Sequence, residues 1–319
     1  MITTIDIIQF SYFVPSLILL FIFVIRLTNE ILVKKNPTYN NHFFLLILFK
    51  SYSDIILLLT IFICGRVAKM NIIENLYKDN NGLAVYYYII IGLCSTVTYG
   101  ISLLSSLNTF IALNYPFIYD TWFSQKKIAI YLVIIFLVGS IHGIGFIFFC
   151  PYYFYFKSLE GYYIKFKSLY IPYYILAYSI IVVYPIAIIV VIMNTISTIK
   201  FKKYYRKISA KNSQNVSMFV YTIVHFFTFL IVVAYTLTII LTKLIVQNDL
   251  VENIAQTVIY WNVDIQTFGL FYIVLFLCSP LRDLMLFKSK KESNQNNNIA
   301  NIKHNERPRI QKNKPLNIN

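Results

Sequence analysis

Residues Ile171 to Ile196 read IPYYILAYSIIVVYPIAIIVVIMNTI, a run without one Asp, Glu, Lys or Arg. About twenty apolar residues wound as an α-helix cross the roughly 30 Å of a bilayer's hydrocarbon. Hydrocarbon offers no partner to backbone N–H and C=O groups, so only helices and closed barrels span it. A barrel strand would alternate apolar and polar residues over segments of about ten. This run does not alternate, and it reads as a transmembrane helix.

Six further blocks share its character: Ile7–Ile25, Phe43–Cys64, Leu83–Leu107, Ile128–Cys150, Val216–Thr242 and Ile254–Cys278. Hydrophobic residues make up 58% of the chain and charged residues 13%, about half the charged share of a soluble protein. The expected fold is all-α, a seven-transmembrane-helix bundle over residues 1–280. A short membrane-surface helix is expected at 281–291, where Leu284, Met285 and Phe287 mix with Arg282, Lys288 and Lys290. The polar remainder, 292–319, reads as a disordered cytoplasmic tail. The 27 Tyr say little about a ligand, because AT-rich codons and membrane interfaces both favour Tyr.

Charge sets the expected orientation. Twenty Lys and Arg fall in the first, third and fifth loops and the tail; seven, Arg66 and Lys69 among them, fall in the loops opposite. Basic residues stay in the cytoplasm, so the N-terminus is expected outside and the C-terminus inside. The net charge of +15 then faces the anionic lipid of the inner leaflet. Membrane lipid, and no nucleic acid, is the partner this charge implies. Residues 1–9 hold no Lys or Arg, so the first span reads as an uncleaved signal anchor.

No catalytic signature is present: no paired-His metal spacing, no Gly-rich phosphate loop, no Ser nucleophile in a strand–turn–helix setting. Neither enzyme activity, metal nor cofactor is expected. Cys64, Cys94, Cys150 and Cys278 read as small packed residues, with one disulfide at the outer end and palmitoylation of Cys278 as the alternatives.

Ionisable residues inside a membrane are costly and point to function. Lys50 and Asp54 lie four apart on one helical face and can pair; Asp54 is expected to play a conformational part. Asp264 lies in the polar stripe Trp261-Asn262-Val263-Asp264-Ile265-Gln266-Thr267. An unpaired carboxylate there must be protonated, paired or facing water. No simple partner is apparent on the sixth helix, where Lys243 is too near the surface and His225 too deep. A water-filled pocket reaching Asp264 is therefore expected, with an interhelical network as the alternative. His142 and His225 read as satisfied interior residues, His142 being also carried as a ligand contact.

The segment Ser105-Ser106-Leu107-Asn108-Thr109-Phe110-Ile111-Ala112-Leu113-Asn114-Tyr115-Pro116, followed by Trp122, resembles the end of the third helix in nematode chemoreceptors of the serpentine receptor class gamma (Srg) group. That family tends to read Leu-Asn-Arg, a few hydrophobics, Pro and a Trp. Phe49–Leu57, centred on Asp54, resembles its second helix. The chain departs at Thr109, where Arg is usual, and at Ser279-Pro280, where rhodopsin-like receptors carry Asn-Pro.

The resemblance implies a chemosensory G-protein-coupled receptor in the plasma membrane of sensory cells. A small external molecule would bind among the third, fifth, sixth and seventh helices, with Asp264, Trp261, Gln266, Tyr99, Tyr178 and His142 as the expected contacts. A heterotrimeric G protein would dock at Asn108, Lys202, Lys203, Arg206, Lys207 and Arg282. The alternative is a seven-helix ion channel or transporter. That would call for broken helices or a path of buried charges, and the chain shows no internal repeat.

Overall fold

A computed structural model describes residues 4–36, 38–39, 42–71, 73–156, 160–205, 213–241, 258 and 260–286. Seven helices within these are long and apolar enough to cross a membrane: Asp6–Val33, His42–Lys69, Asn81–Asn114, Gln125–Phe149, Ile171–Lys203, Phe219–Thr238 and Tyr260–Leu277. They match the seven blocks read from the sequence, and most extend past the apolar run by a turn or more. The third reaches Asn114 and the fifth Lys203, because polar residues end the hydrocarbon but not the helix.

The spans are not buried alike. In the second and third, 67% of the most apolar window is inside the protein; in the fifth the share is 22%. The third span therefore runs through the centre, packed on the second, fourth, fifth and sixth, and the fifth turns most of its surface outward. The third and fourth spans approach closely through glycine. A Cβ on Gly139 would lie 2.9 Å from the Leu93 carbonyl oxygen, and one on Gly143 would run into the Ile89 carbonyl. This is the small-xxx-small seam of membrane helices, where absent side chains bring backbones together. The first and seventh spans join instead through rings, with Phe23 on Phe271 and Phe13 on Phe268 at 5.3 and 5.5 Å between centroids.

Between the fourth and fifth spans the chain forms a β-hairpin where the sequence reads as a short loop. Strands β1 (Pro151–Phe156) and β2 (Gly161–Phe166) pair antiparallel, with Tyr153 opposite Ile164. Aromatic residues suit a pleated, half-buried surface, and both strands are built of them. Tyr153 and Tyr162 pack with Ala68 and Ala84, at the ends of the second and third spans, and with Tyr77 of the segment that joins them. The bundle thus has a hairpin end and, opposite, a tail end.

At the tail end, a helix at Ser279–Met285 follows the seventh span. Arg26 Nη1 donates to the Leu284 and Met285 carbonyls at 2.9 and 3.1 Å, and Tyr39 Oη to that of Pro280 at 2.8 Å. This helix starts two residues before the segment 281–291 where a membrane-surface helix is expected; residues 287–291 and the tail at 292–319 lie outside the described residues.

Candidate functional site

Among the described residues, four spans contain a π-helical turn: Asn29–Val33, Ile61–Arg66, Ser179–Val183 and Ile265–Gly269. Such a turn adds a residue and rotates the rest of the helix by about 100°. In the second span it also leaves carbonyls for other partners. Those of Ile63 and Cys64 accept from the hydroxyls of Tyr77 and Tyr153, at 2.7 and 2.8 Å. Both tyrosines come from the hairpin end, outside the spans. Burial against this packing raises the Tyr77 hydroxyl to about 12, so it stays a donor.

The turn ends on Arg66, which its charge alone assigns to a loop. Arg66 is 2% exposed, and its Nη2 donates to both Asp264 carboxylate oxygens at 2.7 Å. Tyr12 of the first span donates to the same carboxylate, and the guanidinium carbon lies 4.7 Å from the Phe13 ring centre. Of the three states open to Asp264, the structure takes the paired one. The partner comes from the second helix rather than the sixth. Trp261 sits beside this cluster, its ring 6.1 Å from that of Tyr12.

Next to the cluster is a cavity of about 270 Å³, near the lower end of the range for small-molecule sites. The second, third, fourth, fifth, sixth and seventh spans all contribute to it, and β2 adds Tyr162, Tyr163 and Phe166. Of the ligand contacts read from sequence, Tyr99, Tyr178, His142 and Gln266 line it; Asp264 and Trp261 do not. The lining residues that the sequence does not single out include Tyr87, Tyr88, Tyr235 and Tyr260. Their signal is the Tyr content itself, which composition gives reason to discount.

Two wall groups are held firmly. Tyr174 donates its hydroxyl proton to the His142 carbonyl at 2.8 Å. The same oxygen lies 2.9 Å from His142 Nδ1, and with its proton already spent it accepts there. Nδ1 therefore carries the imidazole proton. The His142 ring stacks on Tyr178 with centroids 3.5 Å apart, and the Tyr178 hydroxyl is 2.6 Å from Thr96 Oγ1.

Toward the tail end, Lys50 donates to Asp54, and both are buried. Asn108 is buried and accepts from the Tyr119 hydroxyl at 2.7 Å. Thr109 shares a 2.9 Å hydrogen bond with Thr222 of the sixth span. Asn194 of the fifth span donates to Ser106 at 3.0 Å. Lys202 and Lys203 are exposed at the end of the fifth span, and Arg282 donates to the Phe276 carbonyl at 2.9 Å. Arg206 and Lys207 lie outside the described residues. The four cysteines are free; Cys64 and Cys94 pack in one apolar cluster and Cys278 in another. No group of three His, Cys, Asp or Glu that could hold a metal occurs among the described residues.

The family model described as Srg family chemoreceptor matches residues 6–285 of the chain. No curated protein matches it.

Proposed function

The chain belongs to the Srg family of chemoreceptors, and from that premise we propose that it binds a small external molecule beneath the hairpin and signals to a heterotrimeric G protein at the tail end. It is a multi-pass membrane protein and a chemosensory serpentine receptor. The observation that carries the proposal is the cavity, walled by spans whose far ends reach the opposite face.

In this reading the hairpin end faces outward and the tail end the cytoplasm of a sensory cell, as the 20 to 7 division of basic residues supports. Tyr99, Tyr178, His142 and Gln266 contact the ligand. Asp264 and Trp261 act through the wall behind it. Gln266 lies in the π-turn that follows Asp264, so a ligand that favours one setting of this turn biases the seventh span against the second. Activation is then a population shift toward a conformation with parted tail-end helices. The neutral Thr109–Thr222 bond takes the place of the family's Arg in holding the third and sixth spans together. The parted ends expose Asn108, Lys202, Lys203, Arg206, Lys207 and Arg282 to the G protein, and Asp54 takes part in the change.

The test combines topology with signalling. A tag ahead of Asp6 should stain intact cells, and one after Lys291 only permeabilised cells. Ligand-evoked G-protein activation should fall when Lys202, Lys203, Arg206 and Lys207 become Gln at unchanged surface level. The reverse staining pattern would point to the channel reading, and full signalling by the Gln variant would remove the docking role.

A further inference from the structure

The wall of the cavity also carries information on what it takes. Among the described residues, no Asp, Glu, Lys or Arg lines it. The adjacent charges, Arg66 and Asp264, are bonded to each other. An ionised ligand would give up its hydration and meet no counter-charge there. Aromatic faces alone attract cations, but no carboxylate in this wall would complete an ammonium site.

The wall is nevertheless not purely apolar. Gln266 lines the cavity, is 7% exposed, and its Nε2 has no hydrogen-bond partner. Two polar groups of the same wall are engaged: the Tyr178 hydroxyl with Thr96, His142 Nδ1 with Tyr174. A buried amide N–H with nothing to donate to is unfavourable, and a rotation of the side chain that brings it to an acceptor in the cavity removes that cost.

We infer that the cavity takes a neutral, mainly apolar small molecule with one strong hydrogen-bond acceptor, of the ketone, ester or lactone class, and that Gln266 holds this acceptor through its side-chain amide. The inference rests on the reading of the cavity as the ligand site. The tyrosine faces and aliphatic lining bury the carbon skeleton, and the amide fixes the carbonyl end. Because Gln266 sits in the π-turn next to Asp264, the recognising group is also on the element that would move.

The test uses the full-length receptor purified in detergent and five probes of matched length: 2-heptanone, methyl hexanoate, heptane, hexanoate and hexylammonium. Thermal unfolding is followed against probe concentration. The ketone and ester should raise Tm, the alkane should raise it only weakly, and the two ions should leave it unchanged. Gln266→Met keeps the length and apolar contact of the side chain. It should weaken the ketone about tenfold, the worth of one hydrogen bond, and leave the heptane response unaltered. Should that variant fail to fold, Val232→Trp fills the cavity from the sixth span and should abolish the ketone effect.

A larger shift with hexanoate or hexylammonium than with the ketone would overturn the inference, as would equal responses to ketone and heptane, or none to any probe. Reconstitution with a G protein separates the two readings. Stabilisation by the ketone without G-protein activation keeps the ligand class and removes the coupling; activation by an ion alone does the reverse.

Discussion

Lys50 and Asp54 sit one turn apart on a single helix, whereas Arg66 and Asp264 are 198 residues apart and belong to two. The contrast extends to the ends of the bundle where they lie. At the tail end Lys34 pairs with Glu30 four residues away, again within one helix. At the hairpin end Lys69 of the second span reaches Asp6 of the first at 3.0 Å. The links between spans at the tail end include Thr109 with Thr222 and Asn194 with Ser106, which are neutral hydrogen bonds. An ion pair that joins two helices in a dry interior resists their separation, because parting it leaves two uncompensated charges. A pair confined to one helix does not oppose the helix moving as a body. Among the described residues, the ion pairs at the hairpin end thus join two spans, and those toward the tail end lie within one.

The largest effect should come from halving the interhelical pair. Arg66→Met leaves the Asp264 carboxylate buried against Tyr12, and Asp264→Leu leaves a buried guanidinium. Each should cost about 3–5 kcal/mol, enough to remove most of the receptor from the cell surface. The double variant should recover much of this, since the charges leave together. Surface staining and thermal unfolding in detergent read both. If the double variant proves no better than the singles, the pair is not what fastens this end.

A smaller loss is expected from Lys50→Met. Asp54 can take up a proton in place of the lost ammonium, and no second helix is released. The cost should be about 1–3 kcal/mol, visible as a lower Tm with part of the surface level retained. A loss as large as that of Arg66→Met would break the contrast between the two pairs.

Tyr77→Phe sharpens the same contrast from another side. It removes the hydroxyl that donates to the Ile63 carbonyl in the π-turn leading to Arg66. About 1 kcal/mol of stability should go with it, and thermal unfolding should show the cost shrinking once Arg66 is already Met. Independent, additive costs would mean that the turn does not serve the pair.

The smallest effect belongs to Thr109→Val, which deletes the bond to Thr222 while keeping the side chain's shape. Stability should change by no more than about 1 kcal/mol. Basal G-protein activation should rise severalfold at normal surface level, because the tail ends part more readily. A fall in expression with no rise in basal signal would show that this bond only packs the bundle.

The seven spans were legible because membrane crossing is decided by length and local composition. A helix satisfies its own backbone, so each span can be read without its neighbours. The Lys50–Asp54 pair was legible for the same reason, being a matter of helical spacing. Arg66 was not. It follows Cys64 and Gly65 at the end of an apolar run, where a charge ordinarily marks a loop, and only the π-turn carries the helix past it and into the interior. Gly139 and Gly143, four residues apart, carry a spacing that marks the seam with the third span. The hairpin was written in Pro151–Phe156 and Gly161–Phe166 as two aromatic runs, hidden by a composition rich in Tyr everywhere.

By itself, then, the sequence determined that the chain crosses the membrane seven times, which residues are costly to bury, and which receptor family it resembles. Tertiary structure alone decided that Asp264 meets Arg66 and Tyr12, and that Gln266, two residues on, faces an uncharged cavity with Tyr99, Tyr178 and His142. The physical reason is that hydrophobic length is a property of each segment. The direction in which a side chain points depends instead on local turns that rotate a helix face, and on which neighbouring helix lies against it.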